Sequence, residues 1–440
     1  MKIFFISLGC PKNLVDTEQL LALVGQEGFI ITNSLEDADM VIINTCGFIR
    51  SAVKESEENI KEAINKNKKV VIWGCLAQRE KEKLLKFKNV KGIVGIGDPF
   101  EVLRVIKSKD EKIVRIEENC FKILREIPRL ITTFPYAYIK ISDGCKNFCS
   151  YCLIPKLRGP LRSRRINDIL KEAEDIEKNG FKEIILVAQD TTNYGIDLND
   201  GTNLLKLLDE LEKFNFEWIR IMYMHPGHIK DELIEKIKDS KKICKYFDIP
   251  MQHVSHKILE KMGRPVIDYR KLIERIKEKI PNSAIRTNFI VGFPGETEDD
   301  FRQLVKFIEE MYIDRVGFFK YSRERGTLAY NFKNQIDEKE KEKRLKILIK
   351  KQQLLSKKNL RKYIGKRMRI LIERKEKNYY IGRTEYDAPE IDGVVYVKGK
   401  ELKLWNFYNL KITSSGIYDL FSESCSERNS KGVILEEAKL

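Results

Sequence analysis

Apolar and charged stretches alternate along the first third of the chain: KIFFISLGC, VDTEQLLALVGQEG, MVIINTCGF, SAVKESEENIKEAINK, KVVIWGCLA. Short apolar runs between charged stretches of helical length predict a β-α-β-α-β order, and so a parallel sheet with crossover helices. From about residue 130 the alternation resumes in longer units. Strands are expected at AYIKIS, EIILVAQ, WIRIMYM, YFDIPMQ, AIRTNFIVGF and RVGFFKYS, with helices such as INDILKEAEDIEKNG and DYRKLIERIKEKI between them. Six βα repeats predict a partial barrel whose active face lies at the strand carboxyl ends. In FIVGFPGETEDDFRQLVKFIEE a strand runs into Gly292, Pro294 and Gly295, and a helix follows with Thr297 as N-cap and Asp300 placed to complete a capping box. Farther on, RMRILIERKEKNYYIGRTEYDAPEIDGVVYVKG and LKLWNFYNLKITSSGIYDL read as short strands punctuated by Gly, Asn and Asp. They predict an antiparallel barrel of about 60 residues. The expected domains are 1–120, 131–360 and 363–425. The closing SESCSERNSKGVILEEAKL is polar and expected to be loose, so Cys425 is assigned to no site.

Composition narrows the class. No apolar run approaches the roughly 18 residues a membrane helix needs, and MKIFFISLGC reads as a strand rather than a leader, so a soluble cytosolic protein is expected. The net charge of +16 is concentrated: residues 331–370 hold 15 Lys and Arg against 4 acids, while 371–440 are near neutral. This connector suits an amphipathic helix with Leu345, Leu348, Leu355 and Ile364 on its buried stripe. Its other face is either a solvated surface or a docking surface for an acidic partner.

Nine cysteines in 440 residues are too few for a disulfide scaffold, and point to ligands or ordinary buried thiols. Cys10, Cys46 and Cys75 each close one of the first three apolar strands beside a glycine. Carboxyl ends of parallel strands share one sheet edge, so three such thiols can converge on one site. Cys145, Cys149 and Cys152 sit together in GCKNFCSYC, just after the first barrel strand. Structural zinc wants four ligands, and no histidine precedes His225. A four-iron four-sulfur cluster takes one thiolate per iron, and three thiolates leave one iron open to a small molecule.

The C-x3-C-x2-C spacing, with Tyr151 before the last cysteine, resembles the cluster loop of radical S-adenosylmethionine (radical SAM) enzymes. With the amino-terminal cysteine trio, the whole chain resembles the methylthiotransferase family. The resemblance implies a flavodoxin-like parallel α/β domain, a partial (β/α)6 radical SAM barrel and a small carboxyl-terminal TRAM β-barrel. It implies two 4Fe-4S clusters, one on Cys145, Cys149 and Cys152 and an auxiliary one on Cys10, Cys46 and Cys75. It also implies two S-adenosylmethionine molecules per turnover, one giving the methyl group and one cleaved to a 5′-deoxyadenosyl radical, with an external electron donor. SLGCPKNLVDTE, INTCGFIRSAVKES, GCLAQR, CLIPKLRGPLRSR, LVAQDTTNYG and FDIPMQH resemble the branch acting on the β-carbon of an aspartate in small-subunit ribosomal protein S-twelve, free or in the assembled subunit. The tRNA-modifying branch, the alternative, typically has GCQMN at the first cysteine and GQN where this chain has AQD. Thr17 stands where that run more usually has serine. The basic connector sits awkwardly with a basic target, and is assigned to ribosomal RNA or to no partner.

Among other positions, PKLRGPLRSRR supplies Arg158 and Arg162, at least one of which is expected to face the active site, since arginine forks suit carboxylates. Gln189 and Asp190 end one barrel strand and Gln252 ends another. All three are candidates for cofactor contact, with loop capping as the plainer role for the first two. His253 is expected to be an ordinary core group, and Asp314 and Arg315 receive no role.

Overall fold

A computed structural model describes residues 1–96, 98–110, 112–116, 127–399 and 401–424, so the tail with Cys425 lies outside the described residues. The chain divides into two compact units, Met1–Leu348 and Ile349–Leu440.

The first unit begins with a six-stranded parallel sheet in the order Ile30–Ile31, Lys2–Ser7, Met40–Thr45, Lys69–Gly74, Val90–Val94, Ile113–Arg115. Strand side chains alternate between faces. Met40, Ile42, Val71 and Trp73 therefore pack toward one apolar layer, and Val41, Ile43, Val70 and Ile72 toward the other. Chain order reverses between Lys2–Ser7 and Met40–Thr45, where a doubly wound sheet opens a crevice at its carboxyl edge.

All six expected barrel strands form. Tyr136–Lys140, Glu183–Val187 and Trp218–Ile221 make one parallel trio, and Tyr246–Asp248, Ala284–Val291 and Arg315–Lys320 the other. A parallel bridge between Ile219 and Ile243 links the trios. Several strands stop short of their apolar runs. WIRIMYM ends as strand at Ile221 because Tyr223 turns left-handed at φ 60°, and YFDIPMQ ends at Asp248 before Pro250 and Gln252, itself at φ 72°. The helix Glu298–Met311 carries the expected capping box, the Thr297 side chain accepting from the Asp300 N–H and the Asp300 carboxylate accepting from the Thr297 N–H.

The connector is helical over Glu338–Leu360, but its buried stripe differs from the one expected. Leu348 is buried, whereas Leu345 and Leu355 are only half-buried and Ile364 is exposed. The buried positions are Lys341, Arg344, Leu348, Gln352, Ser356 and Leu360, mostly polar. They are tolerated because they are bonded: Lys341 donates to Tyr321 O, Arg344 pairs with Glu296, and Ser356 donates to Ile417 O.

The second unit closes a five-stranded barrel in the order Arg367–Glu376, Tyr379–Arg383, Val395–Lys398, Leu420–Glu423, Phe407–Ser415. It is antiparallel except for one pair, Val395–Lys398 with Leu420–Glu423.

Candidate active site

The three amino-terminal cysteines lie just beyond their strands rather than in them. Cys10 is the N-cap of helix Pro11–Gln26, Cys46 follows Thr45, and Cys75 opens helix Cys75–Arg79. Their strands, Lys2–Ser7, Met40–Thr45 and Lys69–Gly74, are neighbours at the crevice. Glycine sets the convergence. A Cβ on Gly9 would lie 2.8 Å from the Cys46 Cβ, and one on Gly47 would lie 2.8 Å from the Cys75 backbone. Gly74 is left-handed at φ 95°, where a Cβ would meet Asn44 Oδ1 at 2.4 Å.

Charge around these thiols is uneven. Burial first, then the nearby charges of Cys75 and Cys10, push the Cys46 thiol up to about 11. Burial likewise raises Cys75. Burial would raise Cys10 too, but Lys12, Arg158 and backbone N–H donors outweigh it, and this thiol falls below its ordinary value.

The second trio hangs from the first barrel strand. Asn147 N donates to Cys145 Sγ at 3.3 Å, and Ile154 N to Cys152 Sγ at 3.4 Å. Burial, then the charges of Cys149 and Cys145, carry Cys152 up to about 12. Deprotonation of such crowded thiols needs a cationic partner, which a metal supplies.

Both trios line one cavity of about 410 Å³ in the first unit. That is the size of a small-molecule site. Three buried acceptor or ring atoms on its wall have no hydrogen-bond partner: Gln189 Oε1, His225 Nδ1 and Asn288 Oδ1. Two trios of thiols, with unsatisfied polar atoms beside them, are a donor set that fits two iron-sulfur clusters and a polar ligand.

Arg158 and Gln252 also line the cavity, together with Gln189. Arg158 is fully buried, and its fork is spent on Asp143 Oδ2 at 2.8 Å and Asn13 Oδ1 at 2.6 Å, with Cys75 Sγ at 3.7 Å. Arg162 is not on the cavity wall and donates to the carbonyls of Arg158 and Pro160. Gln189 donates to Asp143 Oδ1 at 2.8 Å. Asp190 is buried behind the wall, where its carboxylate accepts from Asn147, Thr192 and Asn193 and meets His228 Nδ1 at 3.0 Å. Asp190, His225 and His228 lie within 4.8 Å of one another, but the carboxylate lone pairs are already taken, so this cluster fixes the cysteine loop through Asn147. His253 is wholly buried, accepting at Nδ1 from Ser255 N.

Arg264, Tyr223 and Asn288 also line the cavity, and no motif marks them. Lys12 and Asn13 were in view only as part of the SLGCPKN run. The left-handed turns at Tyr223 and Gln252, which aim both into the cavity, cannot be read from residue type.

Three family models match the chain: Uncharacterized protein family UPF0004 at residues 2–95, Radical SAM superfamily at 139–308, and TRAM domain at 364–424. The chain is 44% identical over 437 residues to ribosomal protein uS12 methylthiotransferase RimO of Clostridioides difficile, covering 96% of this chain and 98% of that protein. It is 42% identical to the protein of the same name from Thermotoga maritima, over 96% of this chain and 99% of the relative. Among solved structures, the radical S-adenosylmethionine methyltransferase TsrM of Kitasatospora setae superimposes with a TM-score of 0.53 at 15% identity, over 72% of each chain, a likeness of fold.

Proposed function

Because the chain belongs to the RimO family of ribosomal protein uS12 methylthiotransferases, we propose that it places a methylthio group on the β-carbon of an aspartate in uS12, the S-twelve protein of the small subunit. The observation that supports this reading is the opening of both cysteine trios onto one cavity. In this assignment Cys145, Cys149 and Cys152 hold the cluster that binds S-adenosylmethionine, and Cys10, Cys46 and Cys75 hold the auxiliary cluster. When bound, these groups would supply reductive cleavage of the sulfonium, hydrogen abstraction from carbon and an open iron able to hold a sulfur species.

The chain's own residues position and enclose. Gln189, held by Asp143, presents its unpaired Oε1 to the ligand, and Gln252 lines the wall where its strand ends. Arg158 locks the amino-terminal helix to the barrel and places positive charge beside Cys75. Asp190 steadies the loop between Cys145 and Cys149 through Asn147. The buried wall keeps water from a reactive carbon centre.

The finer parts of the proposal are a cytosolic location, an external electron donor, and contact of the basic 331–370 stretch with ribosomal RNA. For the location, among the described residues no helix is long and apolar enough to cross a membrane. The tRNA-modifying alternative finds no favouring observation. The test is anaerobic reconstitution, with iron and sulfide counted and a uS12 peptide assayed by mass spectrometry with S-adenosylmethionine and reductant. About eight irons and a gain of about 46 mass units on the aspartate are expected. About four irons, or modification of tRNA alone, would overturn the assignment.

A further inference from the structure

The cavity wall carries three cationic side chains, Lys12, Arg158 and Arg264. Arg158 is neutralised by Asp143, with Asp16 3.6 Å away. Lys12 is different. It is 7% exposed, and among the described residues no carboxylate pairs with it. Its Nζ donates to Ala188 O at 3.2 Å and sits 4.2 Å from the centroid of the Tyr223 ring. A lysine ammonium has three donors, and burying one without a counter-charge is costly. The Tyr223 backbone is held left-handed at φ 60°, a strained state for a bulky residue, while its ring lies under the ammonium. Buried, without a carboxylate partner and braced by a strained neighbour, Lys12 is built to receive a carboxylate from the cavity.

Arg264 is the second such cation. It donates to Pro250 O, its Nε is buried without a partner, and it lies beside Cys149 of the second trio. Two cations without a carboxylate partner therefore stand at opposite cysteine trios. The proposed reaction brings two carboxylates into the cavity, one on the methionyl part of S-adenosylmethionine and one on the substrate aspartate. Arg264, beside the trio assigned to the cofactor, suits the first. Lys12 follows Cys10 by two residues, beside the trio assigned to the auxiliary cluster.

We propose that Lys12 is the specificity residue that seats the carboxylate of the substrate aspartate, holding its β-carbon between the two trios. This rests on the uS12 reading above. A carboxylate here satisfies an ammonium that otherwise lacks a carboxylate partner, whereas the neutral amide of asparagine does not, so the pocket selects Asp over Asn.

The experiment uses the reconstituted full chain and two synthetic uS12-loop peptides, one with the target Asp and one with Asn in its place. Binding is read by fluorescence anisotropy and turnover by mass spectrometry. The wild-type protein should bind the Asp peptide about 10- to 100-fold more tightly than the Asn peptide. Lys12→Met should reduce that ratio to near one, and Lys12→Arg should restore part of it. Iron content is measured for every variant. Selectivity retained in Lys12→Met would overturn the role of Lys12 while leaving the uS12 reading intact. Loss of about four irons in Lys12→Met would also overturn it, making Lys12 a counter-charge of the auxiliary cluster. A wild-type protein that neither binds nor modifies the Asp peptide would overturn both readings together.

Discussion

Replacing Arg158 by methionine tests whether one buried guanidinium joins the amino-terminal sheet to the barrel. The side chain makes two charge-assisted bonds, to Asp143 at 2.8 Å and Asn13 at 2.6 Å, with every partner buried. Each such bond contributes about 1.5–3 kcal/mol, so both together contribute about 3–6 kcal/mol. That matches the usual cost of removing one partner of a buried ion pair. Asp143 also loses its largest opposing charge, leaving Lys140 at 3.8 Å. The assay is urea unfolding of the metal-free, reduced chain, followed through Trp73 and Trp218, both buried in the first unit. With a urea slope of about 3 kcal/mol per molar, the midpoint should fall by about 1–2 M, and Arg158→Lys should fall between the variant and wild type because it keeps charge but loses the fork. A midpoint within about 0.3 M of wild type would refute the claim that this fork joins the two sheets.

The remaining expectations are narrower. Cys75→Ala should lower reconstituted iron from about eight to about four per chain, and iron left at about eight would remove Cys75 from the ligand set. Gly74→Ala puts a Cβ 2.4 Å from Asn44 Oδ1 at a left-handed φ, so it should destabilise by at least about 2 kcal/mol and impair loading of the first trio, read by urea midpoint and iron count. Thr297→Ala removes one half of the capping box and should cost about 1 kcal/mol in the same unfolding assay. Burial, then the charge of Arg264, holds His225 at about 3 against an ordinary 6.5. Below about pH 6.5 the unfolded imidazole binds a proton that the folded one refuses, so stability is fully present above that pH and declines toward pH 3. His225→Gln should flatten this limb in midpoints measured across the range, and an unchanged limb would show that another group is responsible.

The parallel order of the first sheet and the six barrel strands were legible because buried strands read as continuous apolar runs. The two cysteine trios were legible because metal ligation constrains both residue type and spacing. What escaped is the polar interior. The run VDTEQLL reads as a helix with a wet face at Asp16 and Glu18, yet both are buried, Asp16 against Lys140 and Glu18 against Arg129 at 2.6 Å. The connector helix departs from its apolar pattern for the same reason, because Lys341 and Arg344 count as solvent-facing in any such pattern until Tyr321 and Glu296 appear beside them. Partners 20 to 124 residues apart leave no local trace, and residue type alone does not show that a charge is satisfied. The departures from regular strand at Tyr223 and Gln252 were invisible too, since only glycine advertises a left-handed backbone.

The helix Pro11–Gln26 hands a series of polar groups across to the barrel: Asn13 to Arg158, Asp16 to Lys140, and Glu18 to Arg129 and Thr132. The amino-terminal segment and the barrel are consequently not exchangeable modules. A chimera that grafts the first hundred residues from a relative onto this barrel inherits a joint of charges as well as a cysteine trio. Wherever the donor's acids do not meet Lys140, Arg129 and Arg158, it strands buried cations under the catalytic chamber. Recombination within this architecture has to move the helix and its distant basic partners as one inherited block, even though they lie far apart in the chain.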